Sequence, residues 1–123
     1  VDANSLANKS IASGRVAVFL YSNDIPFEIL TTGKEDGSRS VVPLVPFVVF
    51  VDDFNYFIEL DFIEGIGVVE IVISQSGSVI YSSSENILSP LRKYLQLPFG
   101  VSGEYCIEIK GDNGAYVYGC FEL

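Results

Sequence analysis

Gly103–Leu123, GEYCIEIKGDNGAYVYGCFEL, is the stretch that decides the fold. Apolar and polar residues alternate through Glu104–Lys110 (EYCIEIK) and again through Ala115–Glu122 (AYVYGCFE). That period of two is the pattern of strands buried on one face. Between them stands Gly111-Asp112-Asn113-Gly114. A three-residue loop of Asp112, Asn113 and a left-handed Gly114 makes a type I turn plus bulge, and the turn sets the register. Tyr105 then faces Phe121, Ile107 faces Gly119 and Ile109 faces Val117, all inward. On the outward face Cys106 lies opposite Cys120, beside Glu108 and Glu122.

Facing Cβ atoms in such a pair sit about 4.5–5.5 Å apart, and a disulfide wants about 3.5–4.5 Å. A cross-strand bridge is therefore feasible with slight adjustment, mainly at a non-hydrogen-bonded pair. It would close a loop of about 14 residues, worth up to ~3 kcal/mol in the chain-entropy picture. Two free, half-exposed thiols are the alternative, and both stay open. A redox switch is disfavoured, because no CxxC spacing and no His is present to depress a thiol pKa. Two cysteines are also only half of a closed zinc site.

Working outward, Val, Ile, Phe and Tyr dominate the apolar residues, and turn clusters (SNDIP, TGKEDGSRS, DDFN, EGIG, SQSG, SSSEN, GVSG) punctuate the chain. Their spacing predicts an all-β sandwich or barrel. Strands are expected at Arg15–Tyr21, Phe27–Thr31, Val45–Val51, Tyr56–Ile63, Val68–Ile73 and Ser78–Ser82, with a polar loop at 33–40. Pairing Val51 with Tyr56 through a turn at Asp52–Asn55 puts Phe47, Val49 and Val51 on the core face with Leu60, Ile58 and Tyr56. Val48, Phe50, Phe57 and Glu59 then face outward, with Phe50 opposite Phe57. In the next strand Val69, Ile71 and Ile73 point inward and Glu70 outward. Ser89–Leu95 (SPLRKYL) carries a helix-start signature, Ser89 as cap and Pro90 at the first position, and predicts a short helical turn; a strand is the competing reading.

The chain has 123 residues, 49% of them apolar and 19% charged, enough for one domain with a real core. Residues 1–13 read as a flexible lead-in and 14–123 as a single β-sandwich domain. With 7 Lys and Arg against 16 Asp and Glu, the net charge is −9. That balance argues against nucleic acid and against anionic lipid. Without His there is no Ser-His-Asp or Cys-His machinery and no His-bound metal. The longest apolar run, Val41–Val51, is broken by Pro43 and Pro46 and falls far short of the ~20 residues of a spanning helix, so no membrane span is expected. Val1 in place of Met fits a removed secretory signal, though an arbitrary boundary fits as well. A lipid anchor upstream of Val1 is compatible with either.

Three groups invite a functional reading. Asp52, Asp53, Asn55, Glu59, Asp61 and Glu64 crowd one stretch, suggesting calcium or an acid/base pair. Their order is not that of a calcium loop, and a solvated turn and strand face explains them better. Tyr116 and Tyr118 project from the same face as Cys120 and could stack a sugar, although Trp is absent and rows of strand tyrosines are more often ordinary cross-strand packing. Val48, Phe50 and Phe57, if uncovered, form an interaction patch; the alternatives are that the strand Arg15–Tyr21 or a long loop covers them, or that the register is off by one. No P-loop or dinucleotide fingerprint occurs.

A family resemblance rests on Ile71, Ile73, Gly77, Ile80 and Tyr81, then Gly103, Glu104, Tyr105, Ile107 and Ile109, then Gly119, Phe121 and Leu123. Over roughly Ser38–Leu123 the chain resembles a family of small secreted bacterial domains of unknown function, known from gut commensals. The resemblance implies an immunoglobulin-like β-sandwich and an envelope or extracellular location, and it supplies no catalytic residues. Cys106, Cys120 and the long apolar N-terminal strand depart from the family pattern.

The combined expectation is an immunoglobulin-like β-sandwich of about seven strands, secreted, periplasmic or on the cell surface. It is read as a non-enzymatic binding or adhesion-type module for a protein or glycan, with no catalytic, metal or cofactor residues. The alternative is a structural domain that forms a homodimer through the Val48, Phe50 and Phe57 face.

Overall fold

The computed structural model describes residues 14–30 and 45–123. The expected lead-in 1–13, the polar loop 33–40 and Thr31 lie outside the described residues. Nine strands and no helix occur among the described residues. One antiparallel sheet holds β1 (Arg15–Ala17), β3 (Phe47–Asp52), β4 (Phe57–Phe62) and β7 (Leu91–Gln96), in the order β1-β3-β4-β7. The other holds β2 (Tyr21–Ser22), β5 (Gly67–Gln75), β6 (Ser78–Ile87), β8 (Glu104–Gly111) and β9 (Tyr116–Glu122), in the order β2-β9-β8-β5-β6.

Alternation makes the core. Phe47, Val49, Val51, Ile58, Leu60 and Phe62 from the first sheet meet Val69, Ile71, Ile73, Tyr105, Ile107, Ile109 and Val117 from the second, each at most 5% exposed. Burying one such side chain stabilises by about 1.5–3 kcal/mol. Tyr105, the largest fully buried side chain, donates its hydroxyl to the Val101 carbonyl and stacks on Phe121. The last hairpin pairs as the turn dictates: Tyr105 with Phe121, Cys106 with Cys120, Ile107 with Gly119 and Ile109 with Val117. Gly114 is left-handed at φ 95°, and the Gly111 amide donates to the Ala115 carbonyl.

Elsewhere the structure corrects the sequence reading. Arg15–Tyr21 is not one strand. Its start pairs with β3 in one sheet and its end with β9 in the other. Residues 18–20 cross between the sheets, and their backbone and side chains fill the space over Gly119. A glycine in a strand interior permits such an approach. Phe27–Thr31 forms no strand over its described residues; Phe27 plugs the core edge-on to Phe47, and the Leu30 amide donates to Gly65.

In the central hairpin Val51 pairs with Ile58, not Tyr56, and Phe50 faces Glu59, not Phe57. The cause lies in the turn. Asp52 Oδ1 accepts the amides of Phe54 and Asn55, and Tyr56 takes φ 53°, so the loop spans 53–56. The slip is two residues, so every side chain keeps its expected face.

Strand β6 continues past Ser82 to Ile87. Ser89–Leu95 holds no helical turn; β7 pairs with β4 from Leu91 to Gln96. Its alternation is disguised because Lys93 points to the core side, where its Nζ lies 3.3 Å from Glu85 Oε2 on β6. Glu85 also accepts from Ser83, which accepts from Tyr81. This polar ladder closes the flank where the edges of the two sheets meet.

Candidate functional site

The outward faces of the two sheets carry different chemistry. On the four-stranded sheet, Arg15 reaches over β3 and donates through Nε and Nη2 to both carboxylate oxygens of Glu59, at 3.1 Å each. Its guanidinium lies 3.8 Å from the centre of the Phe50 ring, a cation–π contact. From the opposite edge Arg92 donates to Asp61 at 3.0 Å and stands 3.5 Å from Glu59. Glu59 is buried, and the Arg15 hydrogen bond holds its carboxyl below the usual range against the effect of burial. Burial and the neighbouring Glu59 push the Asp61 carboxyl up.

The expected patch therefore splits. Val48 is exposed, Phe50 lies under Arg15, and Phe57 packs edge-on to Tyr94. The acidic stretch is divided as well. Asp52 serves the turn. Burial raises its carboxyl, but the bonds from Asn55 and Phe54 outweigh that and leave it lowered. Glu59 and Asp61 serve the arginines. Asp52, Glu59 and Asp61 are thus each engaged in structural bonds.

On the five-stranded sheet, Cys106 and Cys120 are joined by a disulfide with Cα atoms 4.0 Å apart. Backbone hydrogen bonds join Gly103 to Leu123 and Gly111 to Ala115, so the alternate cysteine pair is the non-hydrogen-bonded kind. Glu104 brings a carboxylate oxygen within 4.8 Å of both sulfurs, but sulfurs bonded to each other offer no thiolate to a metal.

The rest of this face is organised in rows that the registers define. One row runs Tyr21, Tyr118, Glu108, Val72, Ser82 across five strands; the next runs Tyr116, Lys110, Glu70, Ser84 across four. Tyr21 stacks on Tyr118 at 5.3 Å, Tyr118 lies 6.0 Å from Tyr116, and Phe19 meets Tyr21 edge-on at 5.0 Å. The four rings make one continuous aromatic row. Phe19 is 72% exposed, Tyr21 53% and Tyr118 39%. The Tyr116 hydroxyl donates to Glu108 at 2.7 Å; burial and that carboxylate push its pKa up to about 12.

Beyond the aromatics, Val68, Glu70, Ser82, Ser84, Lys110 and Asp112 line a shallow trough of about 540 Å³. Sequence reasoning singled out Tyr116 and Tyr118 but not Phe19 and Tyr21. The signal was present, since Phe19 and Tyr21 are two apart in a strand-like run, but only the sheet crossing places them beside β9.

No protein-family model and no curated protein matches the chain. Among solved structures, a DUF3244 family protein with an immunoglobulin-like β-sandwich fold from Bacteroides vulgatus is similar, with a TM-score of 0.63 at 19% identity. The match covers 89% of this chain and 98% of that one. The fold is an immunoglobulin-like β-sandwich, the architecture that the resemblance implied.

Proposed function

We propose that the chain is an exported, non-catalytic binding module that recognises a protein or a glycan through the outer face of its five-stranded sheet. The aromatic row Phe19, Tyr21, Tyr118, Tyr116 carries this reading. Isolated exposed rings are ordinary, but a contiguous row with Phe19, Tyr21 and Tyr118 exposed is the kind of surface that recognition uses. The engagement of Asp52, Glu59 and Asp61 in structural bonds supports a non-catalytic role. The disulfide supports a secreted, periplasmic or cell-surface location, because such bonds persist in oxidising compartments. The described residues contain no helix long and apolar enough to cross a membrane. Self-association through Val48, Phe50 and Phe57 is less favoured, since Arg15 and Tyr94 cover much of that apolar surface.

The test is affinity capture from envelope extract and host-surface glycoprotein, comparing the wild type with a Tyr21→Ala/Tyr118→Ala variant of unchanged circular dichroism. Capture lost in the variant is the expected result; equal capture by both proteins would refute a role for this face.

A further inference from the structure

We infer that the ligand of this face is a neutral oligosaccharide lying across the strands, an inference that rests on the binding-module reading above and names its ligand class. The face has two halves that suit the two sides of a sugar chain. Phe19, Tyr21, Tyr118 and Tyr116 offer apolar ring surface to the C–H faces of pyranoses. The adjoining trough offers hydroxyls from Ser82 and Ser84, a carboxylate acceptor from Glu70 and an ammonium donor from Lys110. Hydroxyls both donate and accept, so this mixed set matches a polyol rather than a single charged group.

The geometry gives direction as well as chemistry. Tyr21, Tyr118, Glu108, Val72 and Ser82 are cross-strand neighbours in one row. Four strand spacings at ~4.8 Å make that row about 19 Å long, room for several sugar units. Charge then selects the class. Among the described residues, Glu70, Glu104, Glu108, Asp112 and Glu122 belong to this face and its bordering turn, against Lys110, in a chain of net charge −9. Sulfated, sialylated or uronic acid chains would be repelled, whereas a neutral chain would not. The Tyr116 hydroxyl is already held by Glu108, so its ring is fixed before any ligand arrives.

The experiment is a set of two-dimensional NMR and calorimetric titrations. The neutral probes are cellohexaose, xylohexaose, mannohexaose and an array of neutral glycans; the acidic probes are a heparin hexasaccharide and a galacturonate hexamer. Saturable binding of a neutral probe is expected, with shifts confined to the aromatic row and trough. Tyr118→Ala should weaken it roughly tenfold or more, Tyr118→Phe should restore it, and the acidic probes should not bind. The inference falls if no neutral glycan gives a Tyr118-dependent signal, or if an acidic glycan binds better. Periodate treatment of the envelope extract separates the two levels of the argument. Tyr118-dependent capture that survives periodate and is lost to protease overturns the sugar and leaves the binding module; capture that never depends on Tyr21 or Tyr118 overturns both.

Discussion

The carbonyl oxygen of Phe19 lies 2.7 Å from the point where a Cβ on Gly119 would stand, closer than real side chains approach backbone. The contact presses the chain crossing between the sheets onto β9. Gly119→Ala should therefore destabilise the fold by about 1–3 kcal/mol, as overpacking does. Hydrogen exchange should locate the loosening at the β2–β9 pairs, Tyr21 with Tyr118 and Ser22 with Val117. Unchanged protection there would count against the contact's role.

Replacing Cys106 and Cys120 together by Ser should lower stability by up to ~3 kcal/mol, since the bond closes a separation of 14 residues. Urea unfolding of the variant, and of the wild type with and without reductant, measures it. The fold should survive, because the bond lies on the outer face and contributes nothing to the core.

Glu59→Gln tests the charged network. The Glu59 carboxyl is held low by Arg15, so its stabilisation is full above the ordinary carboxylate range and disappears as pH falls through its folded value. Asp61, raised by burial and by Glu59, has the opposite sign: it costs stability as pH rises from the ordinary aspartate value through its folded one. The substitution should cost about 1–3 kcal/mol at pH 7, and the deficit should close in acid. A deficit independent of pH would show that packing, not charge, is what Glu59 supplies.

Tyr116 should ionise at about 12, above the ordinary tyrosine value. Its neutral form is favoured in the folded chain, so this group removes stability as pH climbs from the ordinary value towards 12. Alkaline NMR titration of ring-labelled tyrosine should lose this late transition in Tyr116→Phe. In Glu108→Gln the transition should move down.

Legibility in the sequence followed locality. The hairpin from Glu104 to Glu122 could be read to the residue, because Asp112-Asn113-Gly114 permits one turn geometry and the flanking strands alternate cleanly. The central hairpin was legible by face but not by register. The carboxylate of Asp52 caps the turn through its oxygens, and nothing in the alternation distinguishes a slip of two residues. Strand β7 was hidden by Lys93, a cation on the core side whose partner, Glu85, lies in the other sheet. The candidate site was half legible for the same reason. Tyr116 and Tyr118 share a strand, but Phe19 and Tyr21 reach them only through a sheet crossing signalled by one residue, Gly119.

The exposed tip Asp112–Gly114 lies inside the covalent ring that Cys106 and Cys120 close. A protease that cuts this tip does not release the C-terminal strand, because the sulfur bond still ties Tyr116–Glu122 to its neighbour. The nicked protein gains only the one water of hydrolysis and stays a single covalent species until it is reduced, and Val117, held in the core, keeps the severed piece in place. In a protease-rich setting, this exposed turn becomes a harmless place to be cut.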